Sequence, residues 1–204
     1  MRSEPSSERL HAVLAASHGV LEGAPDPRLR CLESTGRPPR EVRWGRHPSP
    51  YGPVLAAAAE GALCWLAFIK EDEDAPLARL AQTWPGATLH EDPDATAAAV
   101  ALAFGPATRL PQPLPVLLEG TPFQQTVWRA LLRIPVGALV TYGDLAAAVG
   151  RPKAVRATGS AVGANPVSVL VPCHRVIGKA GTPFKYGGGP ERKKALLAFE
   201  LAEV

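Results

Sequence analysis

Cys173, His174 and Arg175 stand side by side after the apolar run Val167–Val171. The run is short and mostly β-branched, so it predicts a buried strand that ends at Pro172, which has no N–H to donate to a ladder. This would hold the cysteine on a rigid element beside a base and a cation, both of which favour a thiolate. Such a set could perform covalent nucleophilic chemistry. Taken locally, the residues leave open the alternative that Cys173 is a small side chain filling the core.

A longer pattern around the cysteine resembles that of a known family. Asn165-Pro166 and the string Pro-Cys-His-Arg-Val at 172–176 are similar to the active-site signature of the O6-alkylguanine-DNA alkyltransferases, or methylated-DNA–protein-cysteine methyltransferases. The resemblance is strong over about residues 120–200 and weaker back to about Trp44. It implies DNA repair by direct reversal. The alkyl group of O6-alkylguanine, and of O4-alkylthymine, would pass to the protein's own Cys173 after the base is flipped.

Four residues form the predicted catalytic group. Alkyl transfer needs a soft anionic nucleophile and a base that forms it, for which Cys173 and His174 are the candidates. Adjacent residues on an extended chain point to opposite sides, so we expect a bridging water, as the resemblance also implies. By resemblance, Glu200 orients the imidazole and Asn165 braces the hinge before the strand. No second thiol, cofactor or metal motif is placed to reverse the thioether, so we expect a stoichiometric reaction without cofactor or metal.

Two helices upstream of the cysteine predict a helix-turn-helix. The first, Tyr142–Val149, is capped by Thr141, and the second, Pro152–Gly163, would be the recognition helix. The second helix is rich in small side chains, and only Lys153 and Arg156 are long. A reader of base edges would carry more long polar side chains, so the pattern favours a lesion scanner with little sequence preference.

The resemblance places the recognition helix in the minor groove of double-stranded DNA. Arg156 would fill the gap left by the flipped base, and Tyr142 would rotate the phosphate. Flipping is also required physically, because a cysteine cannot reach an alkyl oxygen inside a stacked duplex. Packing against the first helix is the alternative for each small residue. The predicted DNA-binding residues are Tyr142, Lys153, Ala154, Arg156, Ala157 and Ser160.

The loop 178–189 resembles the loop that closes over the flipped base in this family. The predicted substrate-binding residues are Val171, Pro172, Tyr186, Gly187 and Gly188. The loop departs from the family pattern at Phe184, where glycine is common, and at Gly187, where serine, arginine or alanine is commoner. Phe184 would either narrow the pocket against bulky alkyl groups or lie on the surface as an exposed ring, so the range of alkyl groups is left open.

Charge and composition narrow the class of protein. After residue 119 there are 11 Lys and Arg against 4 Asp and Glu, a charge of +7, whereas residues 1–119 carry 11 against 15, a charge of −4. A basic half predicts contact with a polyanion, and on the resemblance this is DNA. Three cysteines without paired spacing suit a reducing compartment. No apolar run could cross a bilayer, and Met1–Pro5 lacks the apolar segment of a signal peptide, so we expect a cytoplasmic monomer without membrane contact.

The chain as a whole predicts an α+β fold. We expect an extension or linker at 1–40 with a helical stretch at Glu8–Gly19, an α+β domain at 41–105, a proline-rich linker at 106–117 and a DNA-binding alkyltransferase domain at 118–204. The resemblance implies a ribonuclease-H-like first domain and a winged-helix-like second one. Within the first domain the predicted elements are strands at 41–47, 53–59 and 62–69, a hairpin turn at Glu60-Gly61, and helices at 75–84 and 92–104.

Three other functions stay open at this point. A non-catalytic binder of alkylated DNA would keep the helix-turn-helix but replace the cysteine. A transcription regulator switched by alkylation is suggested only by residues 1–40, and the missing upstream metal-binding cysteines argue against it. The lack of a recognisable oxyanion-hole loop in the sequence argues against a cysteine hydrolase.

Overall fold

The computed structural model describes residues 5–17, 19–32, 37–105, 112–179 and 186–202. The chain divides into two compact units: unit 1 comprises residues 1–26, 120–165 and 171–204, and unit 2 comprises 27–119 and 166–170. In chain order the helices and strands are α1 (Ser7–Ala16), β1 (Leu29–Leu32), β2 (Glu41–His47), β3 (Val54–Ala59), β4 (Ala62–Phe68), α2 (Ala75–Thr83), β5 (Thr88–Glu91), α3 (Asp94–Phe104), β6 (Leu114–Leu117), α4 (Pro122–Leu131), β7 (Val140–Thr141), α5 (Tyr142–Ala148), α6 (Val155–Gly163), β8 (Val176–Ile177) and α7 (Pro190–Glu200). Single 3-10 turns lie at Val20–Glu22 and Cys173–Arg175. The predicted α+β class is confirmed.

Unit 2 is built around a sheet whose six strands, within the described residues, lie in the order β1-β6-β4-β3-β2-β5. The strands β2, β3 and β4 are antiparallel neighbours, while β5, β6 and β1 join in parallel. Glu60 and Gly61 have φ values of 51° and 76°, so both central residues of the β3–β4 hairpin are left-handed, as a two-residue turn of the primed type requires. The three strands and the hairpin turn expected from the sequence are confirmed to within one residue at each end.

One hydrophobic core of unit 2 lies on the face of this sheet that α2 covers. Trp44, Trp65 and Trp84 are nearly inaccessible there, together with Leu80 of α2. Large aromatic side chains bury much apolar area each, so a few of them account for much of the stability of so small a unit. Gly45 lies on β2 directly against α3, where a Cβ would stand 2.5 Å from the Cα of Pro93. The sheet and α3 are therefore packed at backbone contact.

Unit 1 is mostly helical. The helices α4 and α5 each begin with a reciprocal capping box, formed by Thr121 with Gln124 and by Thr141 with Asp144. The cap predicted at Thr141 is confirmed. The indole N–H of Trp128 donates to the carbonyl of Ala161 at 2.7 Å, which ties α4 to α6.

The expected core strand at Val167–Val171 is wrong. Of these residues only Val167 forms a β-bridge, which is to Leu66 of β4. β4 pairs with β6 at Leu63, so the bridge lies beyond the part of β4 that is paired with β6. The chain then turns sharply, because Leu170 N–H donates to Ser168 O at 2.9 Å around Val169, whose φ is 71°. Positive φ is strained for a β-branched residue, so the apolar β-branched composition that predicted a strand was overridden by the tertiary contacts of this segment.

Three boundaries also differ from expectation. Residues 1–40 were expected to be an extension or linker with a helical stretch at Glu8–Gly19, where α1 lies, but the strand β1, which pairs in parallel with β6, was not expected. The linker expected over 106–117 is wrong for Leu114–Leu117, because this apolar segment completes the sheet despite its proline. The helix expected at Pro152–Gly163 begins at Val155, because Pro152 occupies a turn closed by Ala154 N–H and Arg151 O at 2.8 Å. The domain limits otherwise stay a prediction.

No helix among the described residues is both long enough and apolar enough to span a bilayer.

Candidate active site

Cys173 lies in unit 1 at the start of a 3-10 turn, on a chain segment held by backbone hydrogen bonds. Its N–H donates to Val171 O at 2.8 Å across Pro172, whose φ of −81° and ψ of 61° are those of an inverse γ-turn. Arg175 N–H closes the next turn on Pro172 O at 3.0 Å. The sulfur is therefore fixed by two consecutive tight turns, and not by the end of a strand as the sequence had predicted.

Asn165 connects the end of α6 to this turn. Its Nδ2 donates to Val171 O at 2.9 Å and to Cys173 Sγ at 3.1 Å. Because a carbonyl can only accept, the first bond fixes which end of the amide faces the sulfur. An N–H aimed at sulfur stabilises the thiolate more than the thiol, so Asn165 does more than brace a hinge.

His174 and Glu200 meet as the sequence predicted. His174 Nε2 lies 2.9 Å from Glu200 Oε1, and the imidazole is fully buried. An ionised carboxylate can only accept, so Nε2 carries the proton and Nδ1 is left as the basic nitrogen of the neutral ring. Among the described residues Nδ1 is buried without a hydrogen-bond partner. A neutral imidazole with a basic nitrogen is what a general base requires, and His174 directly follows Cys173 in the chain.

Arg175 has a different role from the one expected. Its guanidinium does not face the thiol. It donates two hydrogen bonds to Glu200, from Nε to Oε2 at 2.9 Å and from Nη2 to Oε1 at 2.7 Å. A third bond reaches the carbonyl of Ile134. Two-point contact of a guanidinium with a carboxylate fixes the position of both groups. Arg175 therefore orients the carboxylate that in turn orients His174.

Lys193 is a charged group near the sulfur that the sequence analysis did not single out. It is completely buried on α7, and its Nζ donates to Val176 O at 2.6 Å. Its spacing could have revealed it: Lys193, Leu196, Leu197 and Glu200 recur at i, i+3, i+4 and i+7, which places the lysine on the inward face of the helix.

Burial and charge act in opposite directions on the pKa values of this site. Burial raises the pKa of Cys173, while the Asn165 hydrogen bond and the Lys193 charge lower it. Burial lowers the pKa of His174, and Glu200 raises it. Burial alone would raise the pKa of Glu200, but His174 and Arg175 together lower it to about 2. Burial lowers the pKa of Lys193 to about 8, against the attraction of Cys173.

The residues predicted to bind DNA are divided between the surface and the interior of unit 1. On the second helix and the turn before it, Lys153, Arg156, Ala157 and Ser160 are exposed on one face, and Ala154 is half-buried. The opposite face carries the buried Thr158, Ala161 and Val162. Exposure thus distinguishes the small residues that pack in the core from those available to bind DNA. Ala157 is exposed and contributes little to the core, so packing does not explain it.

Tyr142 opens α5 and is partly buried against α6. Burial raises the pKa of its hydroxyl, and the nearby Cys173 raises it further. A Cβ on Gly159 would meet the Tyr142 ring at an ordinary distance of 3.7 Å. Packing inside unit 1 therefore does not require a glycine at this position.

Of the predicted substrate-binding residues, Val171 and Pro172 are buried beside Cys173. The Tyr186 ring stands edge-on to the His174 ring, with centroids 6.5 Å apart. Gly187 is exposed and Gly188 is buried, and the carbonyl of Gly188 accepts from Arg192 at 3.0 Å. Phe184 lies outside the described residues. Across the described ranges, no three His, Cys, Asp or Glu side chains are grouped to hold a metal ion.

Comparison with known proteins agrees with this geometry. The sequence profile described as "6-O-methylguanine DNA methyltransferase, DNA binding domain" matches residues 122–202. The crystal structure of the Mycobacterium tuberculosis O6-methylguanine methyltransferase superposes with a TM-score of 0.66 at 38% identity, covering 80% of this chain and 94% of that one. The chain belongs to the O6-methylguanine DNA methyltransferase family.

Two further members of the family show how far the likeness extends. The methylated-DNA–protein-cysteine methyltransferase of Haemophilus influenzae is 53% identical over 87 residues, which are 43% of this chain and 49% of that protein. The chain thus spans about half the length of the curated relatives it matches. The M. tuberculosis methyltransferase OGT in complex with DNA superposes with a TM-score of 0.65 at 37% identity, covering 79% of this chain and 94% of that one.

Proposed function

We propose that this protein repairs alkylated DNA by moving the alkyl group of O6-alkylguanine, and of O4-alkylthymine, onto Cys173 in a single turnover. The observation that carries the proposal is the pairing of Asn165 with the Cys173 sulfur and of Glu200 with His174, the next residue along the chain, with Arg175 also on the carboxylate. A methylated-DNA–protein-cysteine methyltransferase needs this chemistry, and the family membership supports it.

The proposed step is a displacement at carbon. His174 Nδ1 takes the thiol proton through a bridging water, and Sγ attacks the alkyl carbon as a thiolate. The C–O6 bond breaks, its electron pair passes into the guanine ring, and the guanine takes up one proton. The products are normal guanine and S-alkylcysteine. Because burial raises the pKa of Cys173, the free protein keeps a thiol, and the base is needed in the reaction.

The proposed partner is double-stranded DNA, entered through its minor groove by the exposed face of α6. Arg156 and Lys153 are exposed cations there, and the absence of a side chain at Gly159 leaves room for a close backbone approach. Flipping brings the base to the sulfur, with Arg156 filling the stack and Tyr142 turning the phosphate. The likeness to a methyltransferase crystallised with DNA supports this assignment.

The finer features of the expected fold belong to the same proposal. Unit 2 would be the ribonuclease-H-like scaffold, and α5 with α6 would be the helix-turn-helix of a winged-helix-like reader. The protein would act as a cytoplasmic monomer without cofactor or metal. The half-buried Tyr186, with Gly187 and Gly188, would close over the flipped base beside Val171 and Pro172.

Intact-mass measurement tests the proposal directly. The protein is incubated with excess duplex carrying one O6-methylguanine, alongside Cys173→Ser and the control Cys31→Ser. The wild type and the Cys31 variant should each gain the mass of one methylene unit, because a methyl group replaces the thiol hydrogen, and the Cys173 variant should gain nothing. Product should never exceed protein.

Two results would contradict the proposal. Product in excess of protein would show a turnover reaction. No mass gain on wild type, with tight binding of the methylated duplex retained, would instead support the non-catalytic binder of alkylated DNA.

A further inference from the structure

The helix α1 contributes to the core of unit 1, although it lies outside the 122–202 segment matched by the family profile. Leu10 is only 2% exposed and packs in one cluster with Leu139, Ile177, Leu197 and Leu201. Two of these leucines flank Glu200 at the end of α7. The inward face of α1 therefore covers the last turn of α7, which bears Glu200.

Arg9, one residue before Leu10, holds the same turn by a polar contact. Its Nη2 donates to the backbone carbonyl of Leu201 at 2.5 Å. The last carbonyls of an α-helix have no partner within the helix, and a cation at that end is favoured by the helix dipole. Arg9 of α1 thus caps the carbonyl of Leu201, the residue that follows Glu200.

The other end of α1 is also tied to unit 1. Ser17 Oγ donates to Val13 O at 2.7 Å and accepts from Leu139 N–H at 3.0 Å. Leu139 precedes β7, and Val140 of β7 pairs with Val176, which follows the 3-10 turn of Cys173. Further along, Asp26 N–H donates to Leu132 O at 2.8 Å. The helix is held at both ends, so its contact with α7 is fixed relative to the turn of the cysteine.

We propose that Arg9 and Leu10 are positioning residues for Glu200, so that α1 completes the relay from carboxylate to imidazole to thiol. The terminal turns of helices fray readily, and Glu200 occupies the last turn of α7. Arg175 and His174 hold its carboxylate, while Arg9 of α1 holds the backbone carbonyl of the next residue, Leu201. The expected effect on the transfer rate rests on the proposed alkyl transfer. The expected effect on the position of Glu200, and so on the pKa of His174, does not.

The expected effect on His174 follows from the charged groups that act on it, which are Glu200, Arg175 and Lys193. Glu200 raises the pKa of the imidazole, and the two cations lower it. If the carboxylate moves away, the balance shifts toward the cations. The His174 imidazole should then become less basic and poorer at accepting the thiol proton.

The experiment compares Arg9→Ala, Leu10→Ala and Arg9→Lys with His11→Ala, an exposed residue of the same helix that serves as the control. Single-turnover methyl transfer is measured at saturating O6-methylguanine duplex, and the His174 imidazole is titrated by NMR. The two alanine variants at positions 9 and 10 should slow transfer roughly tenfold, since misplaced catalytic groups cost rate steeply, and should lower the pKa of His174. Arg9→Lys retains a donor and should recover most of the rate, and His11→Ala should match wild type.

Other results would overturn the inference. It fails if Arg9→Ala and Leu10→Ala keep the wild-type rate and His174 titration. It also fails if they lower the melting temperature and slow transfer while the His174 titration is unchanged, because α1 would then be a purely structural element. If the wild type transfers no methyl group, the proposed function fails, and the His174 titration alone still decides whether α1 positions Glu200.

Discussion

At the scale of single residues, the site combines a thiol that burial keeps protonated with a small set of groups that favour its ionisation. Asn165 directs an N–H at the sulfur, and Lys193 places a buried cation near it. The lysine is itself held by Val176 O. A buried thiol is a weak nucleophile until a base takes its proton. The arrangement suits a protein that would be consumed by its own reaction.

Replacing Glu200 by glutamine should alter how stability depends on pH. The folded-state pKa of Glu200 is about 2, below its unfolded value, so the carboxylate stabilises the fold at neutral pH. That contribution, about 3 kcal/mol from the size of the shift, should be lost as pH falls from about 4.5 to about 2. Glu200→Gln should be less stable than wild type at neutral pH, and the difference in unfolding free energy should shrink in acid. Urea unfolding across this range measures it.

Glu191 provides the matched control for this measurement. It lies on the same helix, is exposed, and pairs with Lys194 at 3.2 Å. Exposed pairs contribute little, so Glu191→Gln should follow the wild-type curve at every pH. A constant offset between Glu200→Gln and wild type down to the acid limit would show that the charge of Glu200 is not what stabilises the fold.

At the scale of elements, side-chain capping fixes where α5 begins. Thr141 Oγ1 accepts from Asp144 N–H at 3.1 Å, and Asp144 Oδ2 accepts from both the Thr141 N–H at 2.9 Å and its hydroxyl at 2.7 Å. This box starts α5 at Tyr142. It therefore sets the position of the tyrosine proposed to turn the phosphate.

Loss of this cap should destabilise unit 1. Thr141→Ala removes the hydroxyl and should lower the free energy of unfolding by about 1 kcal/mol, the usual cost of an N-cap change. Thr141→Ser keeps the oxygen and should stay close to wild type. Chemical denaturation followed by circular dichroism measures both. Equal stability of the alanine and serine variants would mean that the hydroxyl does not stabilise α5.

At the scale of the whole molecule, charge is distributed unevenly along the sequence. The segment after residue 119 carries +7, and the segment before it carries −4. The segment after residue 119 contains exposed cations on and next to α6, among them Lys153 and Arg156. A protein that binds phosphates through such side chains releases counterions, so its affinity should fall as salt rises.

The salt dependence of duplex binding should locate this contact. Affinity measured by fluorescence anisotropy should fall linearly with salt on logarithmic axes, and Lys153→Ala should reduce the slope by about 1, the value of one phosphate contact. Lys70→Ala removes an exposed lysine of unit 2 and should leave the slope unchanged. Equal slopes for wild type and Lys153→Ala would remove Lys153 from the proposed interface.

Much of this protein follows from rules that act over a few residues. The capped start of α5, the hairpin at Glu60-Gly61 and the strands beside it depend on side-chain hydrogen bonds, backbone freedom and alternation between near neighbours. The pairing of His174 with Glu200 was predicted because a family pattern records a contact between residues that are distant in sequence. The capped helix, the hairpin and its strands can therefore be predicted from the amino-acid sequence alone, and the pairing only from its resemblance to a family.

Other features depended on contacts between distant parts of the chain. The turn at Val169, the strand β6 within an expected linker, the burial of Lys193 and the direction of Arg175 each arise because a partner far along the sequence is present. The contact of Arg9 with Leu201 joins residues 192 positions apart. Local propensity carries no information about such partners. The sequence by itself determined which residues are proposed to react and most of the elements, and only the tertiary structure decided which charges surround the thiol, because that depends on which groups the fold buries together.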